Sequence, residues 1–187
     1  MSALSNLPTI QLLSLLARRA ITEDELERPL LKILREATPD AHPAFLAAGE
    51  IALRALRQEI YGKPYFAAPE AITDYLKLLL GGYHYEVFVV LYLDAGNRLI
   101  DVQELFRGTL TQTSVYPREI VIEALKRQCV SVILAHNHPS GLPTPSRADE
   151  AVTQTVKAAL SLVDVRVLDH LIVAGNRSVS MAQIGLM

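Results

Sequence analysis

Two short apolar runs set the terms for this chain: Val87–Leu93, which contains no charged or amide side chain, and Val130–Ala135, interrupted only by Ser131. Neither approaches the roughly 20 apolar residues that a bilayer span needs. Both are too apolar to leave one face in water, so they are expected as buried strands. Turn chemistry at Asp94-Ala95-Gly96-Asn97 and renewed extended character over Leu99–Leu105 predict a hairpin after the first run. Helical patterns fill the gaps. One runs Pro69–Leu80, with proline in its first turn and Gly81-Gly82 as the stop. Two more are expected over Pro117–Gln128 and from Ser146 to about Leu162, followed by a strand over Val165–Val173 and a closing turn at Gly175-Asn176. This alternation predicts an α/β (α+β) domain over residues 66–187, a mixed β-sheet flanked by helices.

Residues 1–65 read differently, as a small helical region in front of that domain. Leu12, Leu13, Leu15 and Leu16 cluster after Pro8. Thr22 with Glu25 three residues on is a capping box for a second helix striped by Leu26, Leu30 and Leu34. A third amphipathic pattern runs from Pro43 to Ile60 and closes near Gly62.

Composition narrows the function classes. Half of the 187 residues are apolar and the formal net charge is −2, which predicts a folded globular chain with no global attraction to a polyanion. The single cysteine, Cys129, excludes an intrachain disulfide and reads as a buried, inert thiol. No basic segment followed by an unbroken apolar stretch and a cleavage site opens the sequence, so a cytoplasmic chain with no membrane partner is the expectation.

The chemistry is concentrated in Ala135-His136-Asn137-His138-Pro139-Ser140-Gly141 and the stretch through Ser146 to Asp149 that follows. Side chains in a strand alternate faces, so two histidines two apart at a strand end project to the same side. Pro139, Gly141, Pro143 and Pro145 forbid regular structure just beyond them, forcing a stiff loop before the next helix. That loop lets Asp149, in the first turn of the helix capped by Ser146, fold back toward the imidazoles. Two nitrogens and one carboxylate oxygen, with a fourth position left for water, is the ligand set of catalytic zinc. Ser146-x-x-Asp149 has a purely structural reading too, as a cap whose hydroxyl meets a backbone N–H and whose carboxylate suits the helix dipole.

The spacing His136-x-His138, seven residues, Ser146, two residues, Asp149 resembles the signature of the JAMM (MPN-type) metallopeptidases, and His-Asn-His-Pro-Ser-Gly with Pro-Ser-Arg-Ala-Asp is similar to its bacterial RadC branch. The likeness extends from about Tyr83 to Gly175 and takes in Phe106-Arg107-Gly108-Thr109, Pro117-Arg118-Glu119-Ile120 and Leu168-Asp169-His170. It implies a JAMM/MPN (cytidine-deaminase-like) core and a zinc-dependent peptidase or isopeptidase acting on a peptide or protein substrate. It also implies Zn2+ on His136, His138 and Asp149, a zinc-bound water activated by Glu86 as general base, and a Ser146 hydroxyl that steadies the charge developing on the attacked carbonyl oxygen. Glu86 precedes Val87-Phe88-Val89-Val90-Leu91, where the family has its glutamate; Glu104 and Glu119 are the rivals. His84 is expected at the surface, His42 is assigned nothing, and Asp169-His170 stands between buried hydrogen bonding and support of a ligand.

RadC-like proteins have been labelled DNA-repair factors and usually carry a helix-hairpin-helix segment in front. DNA is therefore the alternative partner, and a protein-interaction module on the same fold without efficient hydrolysis the alternative function. The helices before Gly62 depart from that pattern: they hold no Gly-x-Gly hairpin whose backbone N–H groups would meet phosphates, and they are not strongly basic. The literal His-Asn-His string is not the dispersed triad of an HNH nuclease. Substrate identity and oligomeric state have no readable code here.

Overall fold

The computed structural model describes residues 7–18, 43–67, 69–108 and 115–187. The helix expected from Thr22 and the residue His42 lie outside them. The described elements are α1 (Thr9–Ala17), α2 (Pro43–Ile60), a short 3-10 turn (Tyr65–Ala67), α3 (Pro69–Leu80), β1 (Val87–Leu93), β2 (Leu99–Arg107), α4 (Pro117–Lys126), β3 (Ser131–Asn137), α5 (Arg147–Ser161), β4 (Arg166–Ala174) and β5 (Arg177–Ser180). No helix among the described residues is long and apolar enough to cross a membrane.

The five strands form one mixed sheet in the order β2-β1-β3-β4-β5, in which only the β3–β4 pair is parallel. That pair is joined through α5, the crossover that parallel neighbours require. Helices cover both faces. Val87, Val89, Leu91 and Leu93 of β1 pack with Ile133 and Ala135 of β3 beneath α3. Phe88, Val90 and Tyr92 pack with Val132 and Leu134 against Ile120 and Ala124 of α4 and Val156 and Leu160 of α5. Strict alternation between two covered faces explains why β1 reads as an unbroken apolar run. The buried face of α3, formed by Ile72, Tyr75, Leu76, Leu79 and Leu80, follows helical spacing. Ile60 of α2 and Tyr65 belong to the same cluster as α3 and the sheet.

Most expected elements are present, with shifted ends. β3 begins at Ser131 and runs to Asn137, so His136 lies inside the strand and beyond the Ala135 end expected for it. Pairing with β4 extends it, since Asn137 aligns with Val173. β2 continues past Leu105 to Arg107, where it still pairs with Val87. Helix α4 stops at Lys126 because Gln128 takes a left-handed conformation at φ 51°. The turn at Gly175-Asn176 does not close the chain but leads into β5, whose Arg-Ser-Val-Ser sequence carries too little apolar signal to be read as a strand.

Asp169, buried in β4, gathers four hydrogen bonds. Its carboxylate accepts from the Tyr65 hydroxyl at 2.8 Å, the Ser180 hydroxyl at 2.7 Å, and the backbone N–H groups of His170 and Ala182 at 2.7 and 3.1 Å. The 3-10 turn, β4 and the segment after β5 are thus tied to one carboxylate. Burial and the adjacent Asp169 both push the Tyr65 phenol well above its ordinary value, so it stays a donor. Asp169→Ala leaves several buried groups unpaired, and a cost of about 3 kcal/mol or more is expected in denaturant unfolding. A loss below about 1 kcal/mol would show the node to be dispensable.

Candidate metal centre

His136 and His138 leave β3 on the face covered by α4 and α5, and Asp149 faces them from the first turn of α5. The reason lies in the helix stripe. Asp149, Thr153, Val156 and Leu160 follow one another at spacings of four, three and four, so the core-facing side of α5 delivers its first-turn carboxylate over the end of β3. Oδ1 of Asp149 lies 3.1 Å from His136 Nε2 and Oδ2 lies 3.5 Å from His138 Nε2. The three ligand atoms fall within 4.8 Å of one another, the one such group of three or more among the described residues.

Hydrogen bonds decide which ring nitrogens point into this space. His138 Nδ1 lies 2.8 Å from the Leu142 carbonyl, which can only accept, so Nδ1 carries the proton and Nε2 keeps its lone pair. The loop after the histidines supplies that carbonyl, turning at Gly141 with φ +79° and anchored where Arg177 donates to the Gly141 carbonyl. For His136 the argument runs through three side chains. The Asp149 backbone carbonyl accepts from the Thr153 hydroxyl at 2.5 Å, so that hydroxyl must accept from His170 Nδ1 at 2.6 Å. His170 Nε2 is then the acceptor for His136 Nδ1 at 2.8 Å, which again leaves Nε2 bare. His170 is fully buried; burial, reinforced by His136, lowers its pKa well below the ordinary value and keeps it in the neutral form this chain needs.

With both rings neutral, two lone pairs therefore meet at 2.9 Å, Nε2 to Nε2, with a carboxylate beside them. Such an arrangement calls for a positive charge between its members. Two imidazole nitrogens and one carboxylate oxygen, on rigid elements and with one side toward solvent, is a donor set that fits zinc.

Burial alone would raise the Asp149 carboxyl, but in the metal-free chain donation from the protonated imidazoles of His136 and His138, together with the Ser146 hydroxyl, outweighs it and holds the pKa well below the carboxylate range. Once protonated at Nε2 as well, His138 donates to Asp149, which raises its pKa, with a smaller contribution from the charge of Glu86. Glu86 thus stands within electrostatic reach of the site, at the foot of β1. Its rivals are engaged elsewhere: Glu104 accepts from the Tyr83 hydroxyl at 2.9 Å, and Glu119 pairs with Arg118 at 3.0 Å. His84 is exposed.

Ser146 makes the full capping box. Its hydroxyl accepts from the Asp149 N–H at 3.2 Å and donates to Asp149 Oδ2 at 2.7 Å, while its own N–H donates to the same oxygen at 2.6 Å. Oδ2 is thereby occupied and Oδ1 is the freer oxygen. No sequence motif marks Thr153; its one signal is a polar residue one turn after Asp149 on an otherwise apolar stripe.

Residues 66–186 match the family described as the RadC-like JAB domain. Among curated proteins, the chain is 57% identical over 157 residues to a UPF0758 protein of Polaromonas sp. (strain JS666 / ATCC BAA-500), covering 84% of this chain and 70% of that protein. It is 56% identical over 156 residues to a UPF0758 protein of Acidovorax sp. (strain JS42), covering 83% and 66%. A UPF0758 protein of Leptothrix cholodnii (strain ATCC 51168 / LMG 8142 / SP-6) is 51% identical over 157 residues, with 84% and 71% covered. The chain thus spans about two thirds of the length of these relatives.

The pH dependence of the metal-free chain follows from the pair. His138 is raised above its ordinary 6.5, so its attraction to Asp149 is fully present below about pH 6.5 and is lost as pH rises through the raised value. Asp149 is depressed below its ordinary 3.8, so its contribution holds above that pH and is lost only in stronger acid. The Tm advantage of chelator-treated wild type over His138→Gln should be largest between about pH 4 and 6.5 and shrink above neutrality. An advantage that grows with pH would contradict this assignment.

Proposed function

The chain belongs to the RadC-like JAB domain family, and on that premise we propose that it is a zinc-dependent hydrolase of amide or isopeptide bonds in a peptide or protein substrate. The observation that carries the reading is the pair of Nε2 lone pairs 2.9 Å apart beside the Asp149 carboxylate, each aimed inward by a hydrogen bond on the opposite ring nitrogen. Family membership supports it.

In this reading His136, His138 and Asp149 hold the metal. Zinc, when bound, supplies a Lewis acid that polarises the scissile carbonyl and makes water acidic enough to attack at neutral pH. Glu86 takes the proton of the attacking water on its carboxylate and returns it to the departing nitrogen, so that the C–N bond breaks to a neutral amine. The Ser146 hydroxyl turns from Asp149 Oδ2 to the carbonyl oxygen as negative charge gathers there, while its N–H keeps its bond to that carboxylate. His170 and Thr153 keep His136 in the tautomer that leaves Nε2 free.

Metal analysis of the purified full chain should find about one zinc per chain. His136→Ala and Asp149→Ala should abolish binding. Glu86→Gln should retain zinc while hydrolysis of fluorescein-labelled casein falls by at least about 100-fold, the usual size of a general-base contribution. A wild-type chain that takes up no zinc, or casein hydrolysis that survives Glu86→Gln, refutes the reading.

A further inference from the structure

Asn137 stands between the two imidazoles in sequence but on the opposite face of β3, since strand side chains alternate. It is buried, and its amide is spent on one neighbouring segment. Oδ1 accepts from the Val87 N–H at 2.7 Å and Nδ2 donates to the Tyr85 carbonyl at 3.0 Å. Backbone pairing between β1 and β3 ends at Phe88 opposite His136. Beyond that rung the side-chain amide stands in for a peptide unit, offering one acceptor and one donor along the same line. The two residues it grips, Tyr85 and Val87, flank Glu86, and the Glu86 carbonyl itself accepts from the Gly108 N–H at 2.8 Å. The backbone on both sides of Glu86 is therefore held by three hydrogen bonds, two of them from one side chain. The strand that carries the histidines thus also carries the clamp on the glutamate. An aspartate in the same place keeps the acceptor and lacks the donor; a serine or threonine hydroxyl has a single hydrogen on a shorter arm; an alanine has neither group.

We propose that Asn137 is a positioning residue for Glu86, setting the glutamate's segment in register with the two imidazoles so that carboxylate and ligands keep one geometry. The proposal rests on the reading of Glu86 as the base beside a zinc ion. Satisfaction of a buried strand end, by contrast, requires only that the amide find partners, and gives no reason for its effect to depend on the carboxylate of Glu86.

A double-mutant cycle on zinc affinity separates the two without a substrate. The full chain is compared as wild type, Glu86→Gln, Asn137→Ala, Asn137→Asp and Glu86→Gln/Asn137→Ala, each titrated with zinc against a chromophoric chelator. Amide exchange of the zinc-loaded proteins is followed by NMR at Val87 and Gly108. Removing the Glu86 charge should weaken zinc by about three- to tenfold, the size of a partly solvated charge interaction. Asn137→Ala should weaken it by a similar factor and raise Val87 exchange at least about tenfold, with mid-strand amides such as those of Val90 and Leu134 unchanged. In the Glu86→Gln background the same substitution should cost less than about twofold. Asn137→Asp, which keeps the acceptor for Val87, guards against a misfolded alanine variant: its Val87 amide should stay protected while its zinc affinity falls. Additive losses in the double mutant, or unchanged Val87 exchange in Asn137→Ala, overturn the proposal. Failure of the hydrolase reading shows itself separately, as a wild-type chain that binds no zinc.

Discussion

The site depends on a one-way chain of hydrogen bonds that ends at a backbone carbonyl. Because the Asp149 carbonyl can only accept, Thr153 must donate to it, His170 must donate to Thr153, and His136 must donate to His170. The tautomer of His136 is thus settled three side chains away, by a group with no choice of role. The same helix turn supplies the Asp149 carboxylate. One element therefore places the carboxylate and fixes the direction of a facing lone pair, so the position of the carboxylate and the orientation of the imidazole are the same structural fact. His138 reaches the equivalent state by a shorter route, through the Leu142 carbonyl, which is why the proline-rich loop matters as an acceptor as well as a spacer.

That polar arrangement survives because apolar layers enclose it. Phe88 lies parallel to the His136 ring at an interplanar angle of 9° and meets His170 at an angle of 67°, so both imidazoles stand against an aromatic wall. Phe88 is opposite His136 in the β1–β3 register, which makes the wall a consequence of strand pairing. Burial makes an ionised His170 costly, and its neutrality in turn lets the hydrogen-bond chain run in a single direction. Asp169, next in sequence, points to the other side of β4 and serves the fold, bonding Tyr65 and Ser180. Two adjacent polar residues in one strand thus do different work because the strand alternates.

Loop and helix termini carry most of the remaining specificity. Ser146 closes a capping box with Asp149, and the same contacts leave Oδ1 of that carboxylate the freer oxygen. The structural reading of Ser146-x-x-Asp149 and the metal reading are therefore compatible: the cap orients the oxygen that faces His136. Asn137 extends this economy to β1, where its amide continues the strand pairing past the last backbone rung.

Much of this was legible from residue order alone, because it depends on local periodicity. Unbroken apolar runs mark strands covered on both faces, and proline and glycine punctuate the helices, so β1, α3 and α5 stand close to where the pattern puts them. The period of two puts His136 and His138 on one side, and the capping signature puts Asp149 in a first turn. Fold class and the gathering of two imidazoles and a carboxylate follow from such short-range rules. β5 was not legible, since Arg177–Ser180 is stabilised by its neighbour β4 more than by its own side chains. Nor were the partners of the Asn137 and His170 side chains, which lie 17 to 52 positions away. Only tertiary packing decides which nitrogen of each histidine faces the site, because a hydrogen bond's direction depends on the group that happens to lie across from it.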